Sequence, residues 1–101
     1  MDLDDVDRIG SALDGVSART NDGRREWRLR GRLIARELDE RYLVIRAEFD
    51  VRDLLLRQSP ETFSVPRRYE KHMMVVADVR DGDAGEIEDA IVAAWNLQSR
   101  Q

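Results

Sequence analysis

Cysteine is absent from this 101-residue chain, which excludes disulfides and thiolate metal sites. Histidine occurs once, as His72. A metal would therefore have to rely on carboxylates, and most of these stand where helix starts already account for them. The six glycines are scattered, so there is no glycine-rich phosphate loop. No apolar run approaches the roughly 20 residues of a membrane span. The opening MDLDDVDRIG also lacks the basic-then-apolar order of a secretory signal. Together these absences lead to the expectation of a cytoplasmic protein with no metal, no cofactor and no membrane partner. Lysine is nearly missing as well. Lys71 stands alone among 17 cations, the rest being arginine, a bias that either bidentate anion recognition or a GC-rich genome produces.

What is present fits one soluble domain spanning residues 1–101, with a modest core and a heavily charged exterior. The formal net charge is −4, which weighs against nucleic acid as a partner. The charge is unevenly distributed. Residues 1–14 hold five aspartates against Arg8. Residues 24–36 hold Arg24, Arg25, Arg28, Arg30, Arg32 and Arg36 against Glu26. From residue 78 onward the chain is acidic again.

Periodicity predicts a helix over about 3–14, capped by Asp2 and striped by Leu3, Val6, Ile9 and Leu13, with Gly15 as its stop. Residues 17–24, SARTNDGR, read as a loop containing an Asn-Asp-Gly turn. From Arg25 the pattern alternates, with Trp27 and Leu29 inward and Glu26, Arg28 and Arg30 outward. Residues 32–38 form a second strand whose buried face the pattern leaves open. Residues 42–49 alternate again, with Leu43, Ile45, Ala47 and Phe49 inward and Tyr42, Val44, Arg46 and Glu48 outward. A second helix, capped by Asp50, runs to Ser59-Pro60. A short strand follows within 61–65, then a nearly continuous apolar strand over 73–79. Asp83 and Glu86 fit a capping box for a last helix over about 84–98. The fold class expected is α+β: helix, three-strand antiparallel meander, helix, two strands, helix, in one sheet with helices mainly on one face. Trp27 and Trp95 are expected core anchors.

Several segments carry a family likeness: Leu13-Asp14-Gly15-Val16, Arg30-Gly31-Arg32-Leu33-Ile34-Ala35, Pro60-Glu61-Thr62-Phe63, Tyr69 to Val76, and Ala94-Trp95-Asn96-Leu97. In this order and spacing they resemble the MmcQ/YjbR-like family over nearly the whole chain. The resemblance implies the same helix and strand order, which is also similar to the fold of type III secretion chaperones. It further implies a DNA-binding role, a label that rests on fold analogy. Arg32 stands where the family usually has lysine, so the charge is kept. Ile34 stands where an aromatic residue is usual, which removes a ring able to stack on a base.

No signature ties His72 to a nucleophile, and it is expected to end a strand rather than act as a base, so no catalytic residue is assigned. Two readings stay open. In the first, Arg24, Arg25, Arg28, Arg30, Arg32 and Arg36 on the hairpin converge with Arg67, Arg68 and Lys71 in the following loop to bind DNA. In the alternative, the chain is a non-enzymatic protein-binding or chaperone-like module, using Tyr42, Val44 and Arg46 together with Arg28 and Arg30 on an open sheet face. Oligomeric state is open at this point.

Overall fold

The structure, a computed structural model, describes residues 1–100. Helix α1 (Leu3–Ala12) leads into strands β1 (Val16–Asn21), β2 (Arg24–Leu29), β3 (Arg32–Glu37) and β4 (Tyr42–Arg46). Helix α2 (Phe49–Gln58), strands β5 (Phe63–Ser64) and β6 (Met74–Asp78), and helix α3 (Ala84–Ser99) follow. All strand pairings are antiparallel, in one sheet of order β1-β2-β3-β4-β6-β5. The α+β class is as expected from the sequence. No helix among the described residues is long and apolar enough to cross a membrane.

The meander has four strands rather than three. Residues read as loop form β1, because Asp22 and Gly23 both adopt positive φ (55° and 75°). That is the two-residue turn whose twist matches a β-hairpin. β1 carries mostly polar residues and is exposed at nearly every position, so no hydrophobic alternation marks it.

Helices α1 and α3 cover one sheet face. The main core lies between, built from Leu3, Val6, Trp27, Leu29, Ile34, Leu43, Ile45, Phe63, Val75, Ile87 and Ile91. α1 starts with the expected cap: Asp2 accepts from Asp5 N–H at 2.9 Å, and Asp2 N–H donates back to the Asp5 carboxylate at 2.9 Å. At α3 only half of the expected box forms. Asp83 accepts from Glu86 N–H at 2.9 Å, but the Glu86 carboxylate turns to the Ser59 hydroxyl, and Thr62 Oγ1 takes the Asp83 N–H at 3.0 Å. Trp27 is buried and its Nε1 donates to Asp7 at 2.9 Å. Trp95 is only half-buried and donates to the Asp14 carbonyl at 2.8 Å.

The face of β3 that the sequence pattern leaves open has a physical cause. Trp27 pairs with Ala35, yet the next residue, Arg28, pairs with Leu33. Ile34 is the extra residue of a bulge, and Ile34 and Ala35 both enter the core. Two expectations of facing also change, one inward and one outward. Phe49 is 43% exposed, because the strand has ended and Phe49 opens α2 behind its N-cap, Glu48, rather than Asp50. Val44, expected on an open surface, is fully buried in a second small core with Tyr69 and Val76, flanked by Leu38, Tyr42, Val65 and Met74.

Candidate nucleic-acid interface

The sheet face away from α1 and α3 holds Arg19, Arg24, Arg28 and Arg36. Alternation along β2 sends Arg24, Glu26 and Arg28 to this face. Glu26 is 1% exposed, though no helix covers it. It accepts from Arg19 Nε at 2.6 Å and from Arg28 Nε at 2.9 Å. The Arg28 hydrogen bond first, and then that of Arg19, hold the Glu26 carboxyl at about 2, well below its ordinary 4.5. Arg28 also donates from Nη1 to the Gly31 carbonyl at 2.8 Å, which fixes it against the Arg30-Gly31 turn, where both residues have positive φ. Asn21, Asp22, Arg24, Glu26, Arg28 and Arg36 line a cleft of about 480 Å³.

Arg36 joins this cleft to the second basic segment. Its Nη2 donates to the Tyr69 hydroxyl at 3.3 Å. Tyr69 lies in the 3-10 turn Arg67–Tyr69, and the Arg68 guanidinium sits 5.0 Å from its ring centroid. That attraction to the negative face of the ring holds Arg68 on the same tyrosine whose hydroxyl meets Arg36. The turn itself is anchored from α2: Arg52 Nη1 donates to the carbonyls of Tyr69, Glu70 and His72 at 3.2, 3.1 and 2.8 Å. Arg67, Arg68 and Lys71 are exposed.

The nine cations are not gathered on one face. Arg25 is a correction to the expected cluster. It pairs in register with Thr20 on β1 and shares the face of Trp27. There its side chain meets Asp4 at 3.0 Å and Glu37 at 3.6 Å, and the Asp4 hydrogen bond is the main influence raising its pKa. Neighbouring residues of a strand point to opposite faces, so Arg24 and Arg25 cannot both join the cleft. Arg28 is present, but its charge is shared with Glu26. Arg30 and Arg32 are exposed around the Gly31 turn, at the end of β2 and β3 opposite the Asp22-Gly23 turn.

Arg19 also stands on this face, opposite Glu26, at a position that the sequence pattern assigns to a loop. The signal that could have found it is Asp22-Gly23 between Val16–Asn21 and the alternating β2 segment. The role of Tyr69 as the link had no sequence signal, since it depends on a contact between residues 33 positions apart. Tyr69 is buried and His72 exposed, and neither lines the arginine cleft. The described residues hold no group of three or more His, Asp or Glu side chains placed to bind a metal ion. Compared with protein-family models, with curated proteins and with solved structures, the chain matches none.

Proposed function

We propose that the chain is an MmcQ/YjbR-like protein that binds the phosphate backbone of DNA through its arginine face, with Arg24, Arg36, Arg67 and Arg68 as the principal contacts. The observation that carries this reading is the Arg36–Tyr69 hydrogen bond of 3.3 Å, which ties one cation of the hairpin cleft to the turn that bears Arg67 and Arg68. Phosphate contacts need cations spaced along a surface rather than a deep pocket, and the cleft is lined by polar and charged side chains alone. Arg28 and Arg19 shape the floor through Glu26 and contribute less net charge. The protein-binding alternative draws less support, because Val44, the centre of its surface, is buried beneath Tyr69.

The test is fluorescence anisotropy of a labelled DNA duplex at several salt concentrations. Four neutralised phosphates give a slope of log affinity against log salt of about −3 to −4. Combining Arg24→Ala, Arg67→Ala and Arg68→Ala brings the slope to about −1, since each lost phosphate contact removes about 0.9. A triple variant with wild-type affinity and slope would overturn the assignment.

A further inference from the structure

The two edges of the sheet are guarded differently. The β5 edge is only Phe63–Ser64, set between Pro60 and Pro66. Short strands and flanking prolines are the usual protection against edge-to-edge pairing. The β1 edge, Val16–Asn21, has no proline, no bulge against β2 and one charge, Arg19. It lies at the end of the strand order, with five of its six residues exposed.

The hairpin fixes which backbone groups of β1 point outward. In a two-residue turn with positive φ at Asp22 and Gly23, the flanking residues Asn21 and Arg24 exchange hydrogen bonds. Hydrogen-bonded and non-hydrogen-bonded pairs then alternate along the ladder. Asn21, Arg19 and Ser17 therefore bond to β2, and Thr20, Ala18 and Val16 turn their N–H and C=O groups away from it. The Val16 N–H agrees with this, being taken by the Leu13 carbonyl at 3.3 Å.

We propose that β1 pairs antiparallel with β1 of a second copy of this chain, about a twofold axis through Ala18. This inference stands apart from the DNA reading and rests on the strand edge alone. A twofold axis between antiparallel strands places one residue opposite itself, and four centres give an overlap of three residues or more, that on Thr20 covering only Arg19 to Asn21. Centring on Ser17 overlaps only Val16 to Ala18. Centring on Arg19 sets two guanidinium groups directly opposite each other, which is unfavourable. Centring on Ala18 overlaps Val16 to Thr20 and places Ala18 opposite itself as a hydrogen-bonded pair. About four inter-chain bonds then form, two between the Ala18 residues and two from Thr20 N–H to Val16 C=O. Val16 N–H is not required, which fits its existing bond to Leu13.

Side chains fit the same register. Val16 faces Thr20 of the second copy, and Ser17 faces Arg19. Above Ala18, Asp7 and Arg25 line a recess with Arg19 and Thr20, so the groups meeting near the axis on that side carry both signs. The axis is perpendicular to the sheet, so both copies keep their helices on one side and their arginine faces on the other. The result is one sheet running continuously through both chains.

Light scattering coupled to size exclusion tests this over a series of loads from roughly 1 to 100 µM, which brackets a micromolar Kd and lets a tenfold change be read. The wild type is expected at twice the 11.7 kDa chain mass. Ala18→Pro removes an outward N–H without touching the β1–β2 ladder, and Ala18→Lys opposes two like charges at the axis. Each is expected to weaken dimerisation by about tenfold or more, roughly the effect of 1.4 kcal/mol, with far-UV circular dichroism unchanged. If the proline variant fails to fold, the lysine variant decides, since Ala18 is exposed. A monomeric wild type, or a folded lysine variant that dimerises as tightly as wild type, would overturn the proposal. The first outcome would leave the edge to another protein's strand.

Discussion

Glu26 and Trp27 are neighbours in β2, and each is 1% exposed. They are buried by different means. Trp27 lies under α1, whose Gly10 permits the approach: a Cβ at Gly10 would stand 3.0 Å from the indole. Glu26 lies under the side chains of Arg19 and Arg28. One cover is a helix held by a whole core. The other consists of two guanidinium groups, whose side chains are 60% and 23% exposed. Equal burial thus conceals unequal permanence. The helix-covered face is a scaffold, and the arginine face is held by charge and responds to pH and salt. The proposed DNA role would draw on that division, because phosphates bind where cations remain within reach of solvent.

Deleting the scaffold side of the pair is expected to cost most. Trp27→Ala empties a fully buried aromatic site and leaves Asp7 without its indole donor. The expected loss is about 3–5 kcal/mol, read from the shift in urea midpoint. A loss below 1 kcal/mol would mean that the core closes around the vacancy, and the contrast between the two faces would collapse.

On the other face, Arg28→Ala removes the main partner of a buried carboxylate. Breaking a fully buried ion pair costs about 3–5 kcal/mol, but Arg28 and Arg19 keep contact with solvent and the value is discounted accordingly. About 1–3 kcal/mol is expected. A binding assay on this variant must therefore be corrected for folding. The same carboxylate gives an acid signature. Its folded-state value of about 2 lies below its ordinary 4.5, so its contribution is complete above 4.5 and disappears as the pH falls towards 2. Glu26→Gln is expected to flatten the stability curve between those two values. A variant curve parallel to wild type there would show that Glu26 is not held by charge.

How much of this could be read from the chain depends on whether local or distant residues decide each feature. The Asp2–Asp5 cap, the inward faces of Trp27, Leu43 and Ile45, and the stop at Ser59-Pro60 follow from local rules, and the structure has each of them. β1 was missed because its side chains are solvated and its strand character comes from pairing with β2. Ile34 was ambiguous because a bulge breaks the two-residue period. The burial of Val44 was invisible, since Tyr69 arrives from a distant turn held by Arg52. At the site, the alternating positions Arg24 and Arg28 were legible as one face. Arg25 was drawn into the same group because a run of charge in sequence says nothing about which side of a pleated strand each member occupies.

Arg24 and Arg25 provide the finest test of that last point. They are adjacent and chemically identical, and they project to opposite faces. Arg24 lines the cleft, and Arg25 is tied to Asp4 and Glu37 beneath α1. Each substitution to alanine removes one positive charge from the molecule, so any effect of net charge on DNA encounter is the same for both. A contact effect is not. Arg24→Ala is expected to lower the magnitude of the salt slope by about 0.9, the value for one lost phosphate contact. Arg25→Ala is expected to leave the slope unchanged and to cost no more than about 1 kcal/mol of stability, as a partly exposed pair should. Equal slopes for the two variants would mean that DNA senses the total charge of the chain rather than one face of its sheet, and the arginine cleft would lose its claim to be the site.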